Sequence, residues 1–154
     1  MNDEPQILET EERNTAVIRL KVPRERMQEV MGPAIGELMA GVAAQGVAPA
    51  GPLFSHHFRM QPDVFDFEVG VPVATPVAAA GRIEPGSLPA ARVARTVYRG
   101  PYEGLGEAWG ELDAWVVSED LTPADNLWEC YLRGPESSPD PSTWETELNR
   151  PLAD

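Results

Sequence analysis

Apolar positions change their period several times along the chain, and each change marks an element. Residues 15–22 (TAVIRLKV) are β-branched and partly alternating, which predicts a strand stopped by Pro23. Within residues 24–45, Met27, Val30, Met31, Ile35, Leu38, Met39 and Val42 recur at steps of three and four. That spacing lines one side of a helix, and Gly46 fits the residue just past its end. Gly32 and Pro33 weaken its first turns. Residues 53–60 (LFSHHFRM) and 64–71 (VFDFEVGV) are aromatic and β-branched runs on either side of Gln61, Pro62 and Asp63, a hairpin signal. The first half of the chain reads β-α-β-β.

Residues 74–90 carry Pro76, Gly81, Pro85, Gly86 and Pro89 and read as a connection holding at most a short strand at 78–83. The pattern then restarts. Residues 91–99 (ARVARTVYR) predict a strand broken by Gly100 and Pro101. Tyr102, Leu105, Trp109, Leu112 and Val116 mark a helical stripe through about residue 119. Residues 127–133 (LWECYLR) and 143–149 (TWETELN) predict a closing hairpin across a Pro- and Ser-rich loop at 134–142.

The two halves echo each other. Residues 47–51 (VAPAG) and 121–125 (LTPAD) occupy the same place, and the offset of 121 minus 47 carries Leu53 onto Leu127. The echo predicts a tandem duplication, with repeats at about 6–73 and 78–152 inside one domain spanning 1–154. The fold class is α+β. Clefts at the seam of repeated modules are where small ligands bind, so the seam is the expected site of function.

At 154 residues the chain is long enough for one domain that buries roughly 68–70% of its unfolded surface. Cys130 is the sole cysteine, which excludes a disulfide framework and a cysteine-based metal cluster. The start MNDEPQ lacks the regions of a signal peptide, and the longest apolar tract, 69–81, is interrupted by proline and shorter than the ~20 residues that span a bilayer. A soluble, cytoplasmic protein is expected. Lys and Arg number 12 against 25 Asp and Glu, a formal net charge of −13. Such a field repels phosphate backbones, so direct nucleic-acid binding is not expected. It also concentrates cationic small molecules, although a well-solvated acidic surface explains it equally simply.

The candidate chemistry lies in strand 127–133. A carboxylate in an apolar strand costs free energy unless it is paired or hydrogen-bonded, and a cationic ligand could be the partner of Glu129. The plainer alternative pairs Glu129 with Arg133 or Arg99, or leaves it solvated at an edge. By alternation Trp128, Cys130 and Leu132 share one face and suit the helix layer, which turns Glu129 and Tyr131 to the opposite side. Tyr131 is then either a pocket wall or ordinary packing. Trp109 reads as core before pocket, and Trp115 more so. Tyr98 and Tyr102 flank the Gly-Pro break within reach of a cleft. Of the two histidines, His57 shares the register of Tyr131 and is a modest ligand candidate, whereas His56 is expected against the first helix with Phe54 and Phe58. Cys130 reads as an inert buried thiol on the helix side. Gly104, Gly106 and Gly110 do not have dinucleotide-loop spacing. No cofactor and no metal are expected.

The string YRGPYEGLGEAWGELDAWV at 98–116, with WECYLRGP at 128–135 and TELNRPL at 146–152, resembles the GyrI-like family, the effector-binding domains found behind the DNA-binding domains of AraC- and MerR-type regulators and also as free-standing proteins. The resemblance implies a tandem β-α-β-β fold whose two antiparallel sheets form a concave ligand cleft, with the helices on the outer side. It also implies that Glu129, in the Glu-x-Tyr-Leu strand, is the acidic pocket residue. Tyr98 stands where the family often has His, and no helix-turn-helix precedes the match, so transcription control by this chain alone is not expected. The resulting expectation is a stand-alone binder of hydrophobic, cationic or aromatic drugs or toxins, with ligand contacts from Glu129, Tyr131, His57, Trp109 and Tyr98. The alternatives are a hydrolase of cyclopropane-bearing genotoxins that works through Glu129, and an inhibitor that acts on gyrase or another protein. A protein partner or a homodimer is left open.

Overall fold

The computed structural model describes residues 3–60, 64–134 and 138–153. The hairpin expected at Gln61, Pro62 and Asp63 lies outside the described residues. The fold is α+β, built from antiparallel strands and two helices, and it divides into two compact units.

Unit 2, Glu11–Ala90, contains β2 (Arg13–Pro23), α1 (Met27–Ala44), β3 (Phe54–Met60), β4 (Val64–Pro72) and β5 (Ile83–Leu88). Its strands are ordered β3-β4-β2-β5. Cross-strand pairs Leu20–Phe67, Ile18–Val69 and Ala16–Val71 set one apolar face, and Ala34, Leu38 and Val42 of α1 are buried on it. Each large side chain closed off this way contributes about 1.5–3 kcal/mol of transfer free energy. Gly46 ends α1 as the sequence predicts. At φ 70° it donates to the Ala43 carbonyl at 3.0 Å, and Val47 donates to Val42 at 3.3 Å.

Unit 1 joins Met1–Thr10 to Ala91–Asp154. It holds β1 (Gln6–Glu9), β6 (Arg92–Arg99), α2 (Leu105–Ser118), the two-residue β7 (Thr122–Pro123), β8 (Leu127–Arg133) and β9 (Glu145–Ala153). The order is β1-β6-β9-β8, with β7 beside the end of β9. Ala108, Leu112 and Val116 of α2 cover Ala94, Tyr98 and Leu148.

Besides the two-residue β7, two strands were not foreseen where they occur. The acidic head contains β1, which pairs with β6 from Gln6–Arg95 to Glu9–Arg92. The connecting segment contributes β5 at Ile83–Leu88, not at 78–83, and β5 pairs with β2. Pro85 hid it, because proline is tolerated in a strand mainly at a sheet edge, which is where β5 lies within its unit. The compact units therefore divide the chain differently from repeats at 6–73 and 78–152.

Candidate functional site

Glu129 on β8 is 7% exposed. One of its oxygens accepts a hydrogen bond from Trp109 Nε1 of α2 at 3.0 Å, and the other accepts from the Tyr131 hydroxyl at 3.3 Å. These distances correct the expected face. Glu129 lies across from Leu148, which lies across from Thr96, so all three point to the side that α2 covers. Alternation misled here because Leu127, Trp128, Glu129 and Cys130 are all buried. With both faces of the strand covered, an apolar set does not identify the helix side, and Leu132, assigned to that side, is exposed. Cys130 lies on the other face, buried, with the Asn149 amide 4.0 Å from its sulfur.

Aromatic rings extend from the acid. The Tyr131 ring meets Tyr102 edge-on at 6.1 Å, and Tyr102 lies 4.9 Å from the Trp144 ring. All four residues, Trp109 included, are half-buried, while Glu129 itself is buried. Each comes from a different local device. Trp109 sits on the helical stripe, Tyr131 is two residues along the strand, Tyr102 begins the 3-10 turn Tyr102–Gly104, and Trp144 follows the turn Pro141–Thr143. That last turn is held by Asp140, whose Oδ1 accepts from the Ser142 amide at 3.0 Å. Arg150 clasps Asp113 of α2 through two 2.9 Å contacts and lays its guanidinium 5.6 Å from the Trp109 ring centre. Arg150, Asp113 and Trp144 escaped sequence reasoning, because nothing in their local spacing links them to residue 129.

The other expected site residues are placed differently. Arg99 and Arg133 bond Glu145 at 2.9 and 3.4 Å. Tyr98 is buried and donates its hydroxyl to the Pro101 carbonyl at 2.7 Å. Burial, and then Glu103 and Glu107, push its phenol up, which keeps it a donor. It closes the turn before α2. His57 belongs to unit 2, where it stacks on Phe67 at 4.9 Å on the α1 side. His56 occupies the opposite face with Phe58, the reverse of the expected assignment. A hollow of about 420 Å³ lined by Arg19, Leu20, Lys21, Val22, Glu29, Val30, Pro33 and Arg82 is also in unit 2. Volume and chemistry thus point to different places. We take the chemistry at Glu129 as the candidate ligand site, since a buried acid under half-open rings can select a ligand and an open groove alone cannot. Among the described residues no cluster of three or more His, Cys, Asp or Glu could hold a metal ion, and no helix is long and apolar enough to cross a membrane.

A family profile, the GyrI-like small molecule binding domain, matches residues 3–153. The chain belongs to the GyrI-like family. Among solved structures, the EcmrR C-terminal domain shares 22% identity at TM-score 0.86, with 98% of each chain covered. In a complex of EcmrR with DNA, the chain spans 57% of the length of that protein. SAV2435 bound to tetraphenylphosphonium is similar at 13% identity and TM-score 0.68, covering 98% of this chain and 94% of that one. A hydrolase from Listeria innocua is similar at 14% identity and TM-score 0.67, covering 97% and 92%. At such identities these likenesses establish the GyrI-like fold. No curated protein matches the chain.

Proposed function

We propose that this GyrI-like chain binds lipophilic cations, with Glu129 as the charge that selects them and Trp109, Tyr131, Tyr102 and Trp144 as the rings that hold their apolar faces. The reading rests chiefly on one observation, a Glu129 that is 7% exposed, bonded by the half-buried Trp109 and Tyr131, with the rings of Tyr102 and Trp144 continuing from Tyr131. A cation over such rings gains roughly 0.5–2 kcal/mol per favourable contact beyond the attraction of the acid. The tetraphenylphosphonium bound to SAV2435 has the matching chemistry, a delocalised cation wrapped in phenyl groups. The β-α-β-β order in each half fits descent by duplication, with the ligand acid kept only in the second copy: the residue 74 positions before Glu129 is Ser55.

Titration with tetraphenylphosphonium, followed by tryptophan fluorescence, tests the reading. Glu129→Gln is expected to weaken binding by about tenfold or more, which is about 1.4 kcal/mol. Triphenylphosphine oxide, a neutral ligand of related shape, should bind the variant and the wild type alike. Equal binding of the cation by both proteins overturns the proposal. A hydrolytic role for the same acid would show as product in mass detection. With both oxygens engaged as acceptors in the resting site, the geometry favours retention of the ligand over turnover. A protein-inhibitory role would instead survive Glu129→Gln unchanged.

A further inference from the structure

The hollow in unit 2 lies beside a strand edge whose backbone faces outward. β5 pairs with β2 from Arg13–Leu88 to Ile18–Ile83 and goes no further, while β2 continues to Pro23. Which polar groups of β2 face this side follows from two facts. Ile83 exchanges both backbone hydrogen bonds with Ala80, at 2.9 and 3.0 Å, so the Ile18–Ile83 pair is a non-bonded one. Pro85, opposite Ala16, has no N–H and also suits a non-bonded position. The odd residues of β2 therefore direct N–H and C=O toward β5. Beyond its end, the backbone groups of Arg19 and Lys21 continue the row with no described strand against them on that side.

We propose that this edge docks an extended segment of a partner protein, in which acidic residues alternate with β-branched apolar ones. Register dictates the pattern. Leu20 and Val22 face the α1 side and, with Val30 and Pro33, give the hollow its apolar lining, so alternate side chains of an added strand would rest there. The other set would stand beside Arg19 and Lys21. Three cations and one acid line the hollow; even with Asp66 and Glu37 bonded to two of the cations, this place is less negative than a chain of net charge −13 is on the whole, which favours an acidic occupant. Arg19 already bonds Asp66 at 2.9 Å and Arg82 bonds Glu37 at 2.9 Å. Lys21 lies across from Asp66 as well, so the incoming acids share these cations with acids already in place.

A short synthetic peptide of alternating valine and aspartate is the probe, titrated against the full chain by isothermal calorimetry. Methylating the backbone nitrogens of its aspartates, which would face Arg19 and Lys21, should abolish binding, whereas methylating those of its valines should leave it intact. Lys21→Pro removes one outward N–H without touching the β4 side and should weaken binding by about tenfold. Lys21→Glu keeps the N–H and should weaken binding through charge alone, which covers the case in which the proline variant does not fold. The proposal is overturned if a valine–lysine peptide binds as well, or if both methylated peptides behave alike. It is also overturned if the protein forms a dimer that Lys21→Glu dissolves, since the edge then belongs to a second copy. None of these readouts depends on Glu129.

Discussion

Trp109 does two things for Glu129: it covers the carboxylate and donates a hydrogen bond to it. Trp109→Phe retains most of the ring but leaves that oxygen with one donor fewer. A loss of about 1–3 kcal/mol in unfolding free energy is expected, together with weaker cation binding, and a urea titration and the fluorescence assay would measure the two effects separately. An unchanged urea midpoint would mean the bond contributes nothing. His56 gives a pH dependence of known sign. Burial holds its imidazole down to about 4 from an ordinary value of 6.5. The unfolded chain takes up that proton as pH falls through 6.5, whereas the folded chain refuses it until about 4. Stability contributed by the neutral ring is therefore complete above pH 6.5, declines across the window, and levels off below about 4. Up to about 3 kcal/mol is at stake at about 1.4 kcal/mol per pH unit. Glu68, directly across from His56, works against this trend. Burial raises its carboxyl, so the folded state holds that proton more tightly and gains as pH drops. His56→Leu should leave the urea midpoint rising, or flat, toward acid; a slope identical to wild type would overturn the assignment.

The helices differ in how tightly their glycines are enclosed, and this decides the effect of substitution. A Cβ at Gly36 of α1, or at Gly106 or Gly110 of α2, would meet nothing within 4 Å. Alanine at each should add about 0.5–1 kcal/mol of stability. At Gly41 a Cβ would run into Ile83 Cδ1, a side chain in the core, so Gly41→Ala should lower the thermal midpoint where Gly36→Ala raises it. If the two variants match, the packing of α1 against the start of β5 is looser than described. Most elements were legible in the sequence because periodicity is a backbone property. The stripe from Met27 to Val42 and the run LWECYLR define α1 and β8 within a few residues. What alternation could not reveal was the direction of β8, since a strand covered on both sides carries no polar face to read. For the same reason Glu129, Tyr131 and Trp109 could each be named as candidates, while their mutual contact, and the clasp of Arg150 on Asp113, depended on tertiary placement. His57 and Tyr98 had plausible chemistry but turned out to be a stacking partner and a turn closure.

At the scale of the molecule, charge sets what approaches. With a net of −13, the protein should show no retardation of duplex DNA in a gel at about 50 mM salt, where electrostatic binding is strong. Retention there would require a basic surface that the composition does not supply. The same field raises the local concentration of organic cations, and their association rate with the Glu129 site should fall as salt is added. Connectivity is the other global property. Unit 2 is one unbroken stretch, Glu11–Ala90, whereas unit 1 cannot be finished without Gln6–Glu9, whose partners on β6 lie more than eighty positions later. On a ribosome, then, Glu11–Ala90 can mature while Gln6–Glu9 waits, with exposed amides, for Arg92–Arg99 to emerge. At roughly 5–20 residues per second of synthesis, a nascent chain of this design spends several seconds with β1 unclaimed.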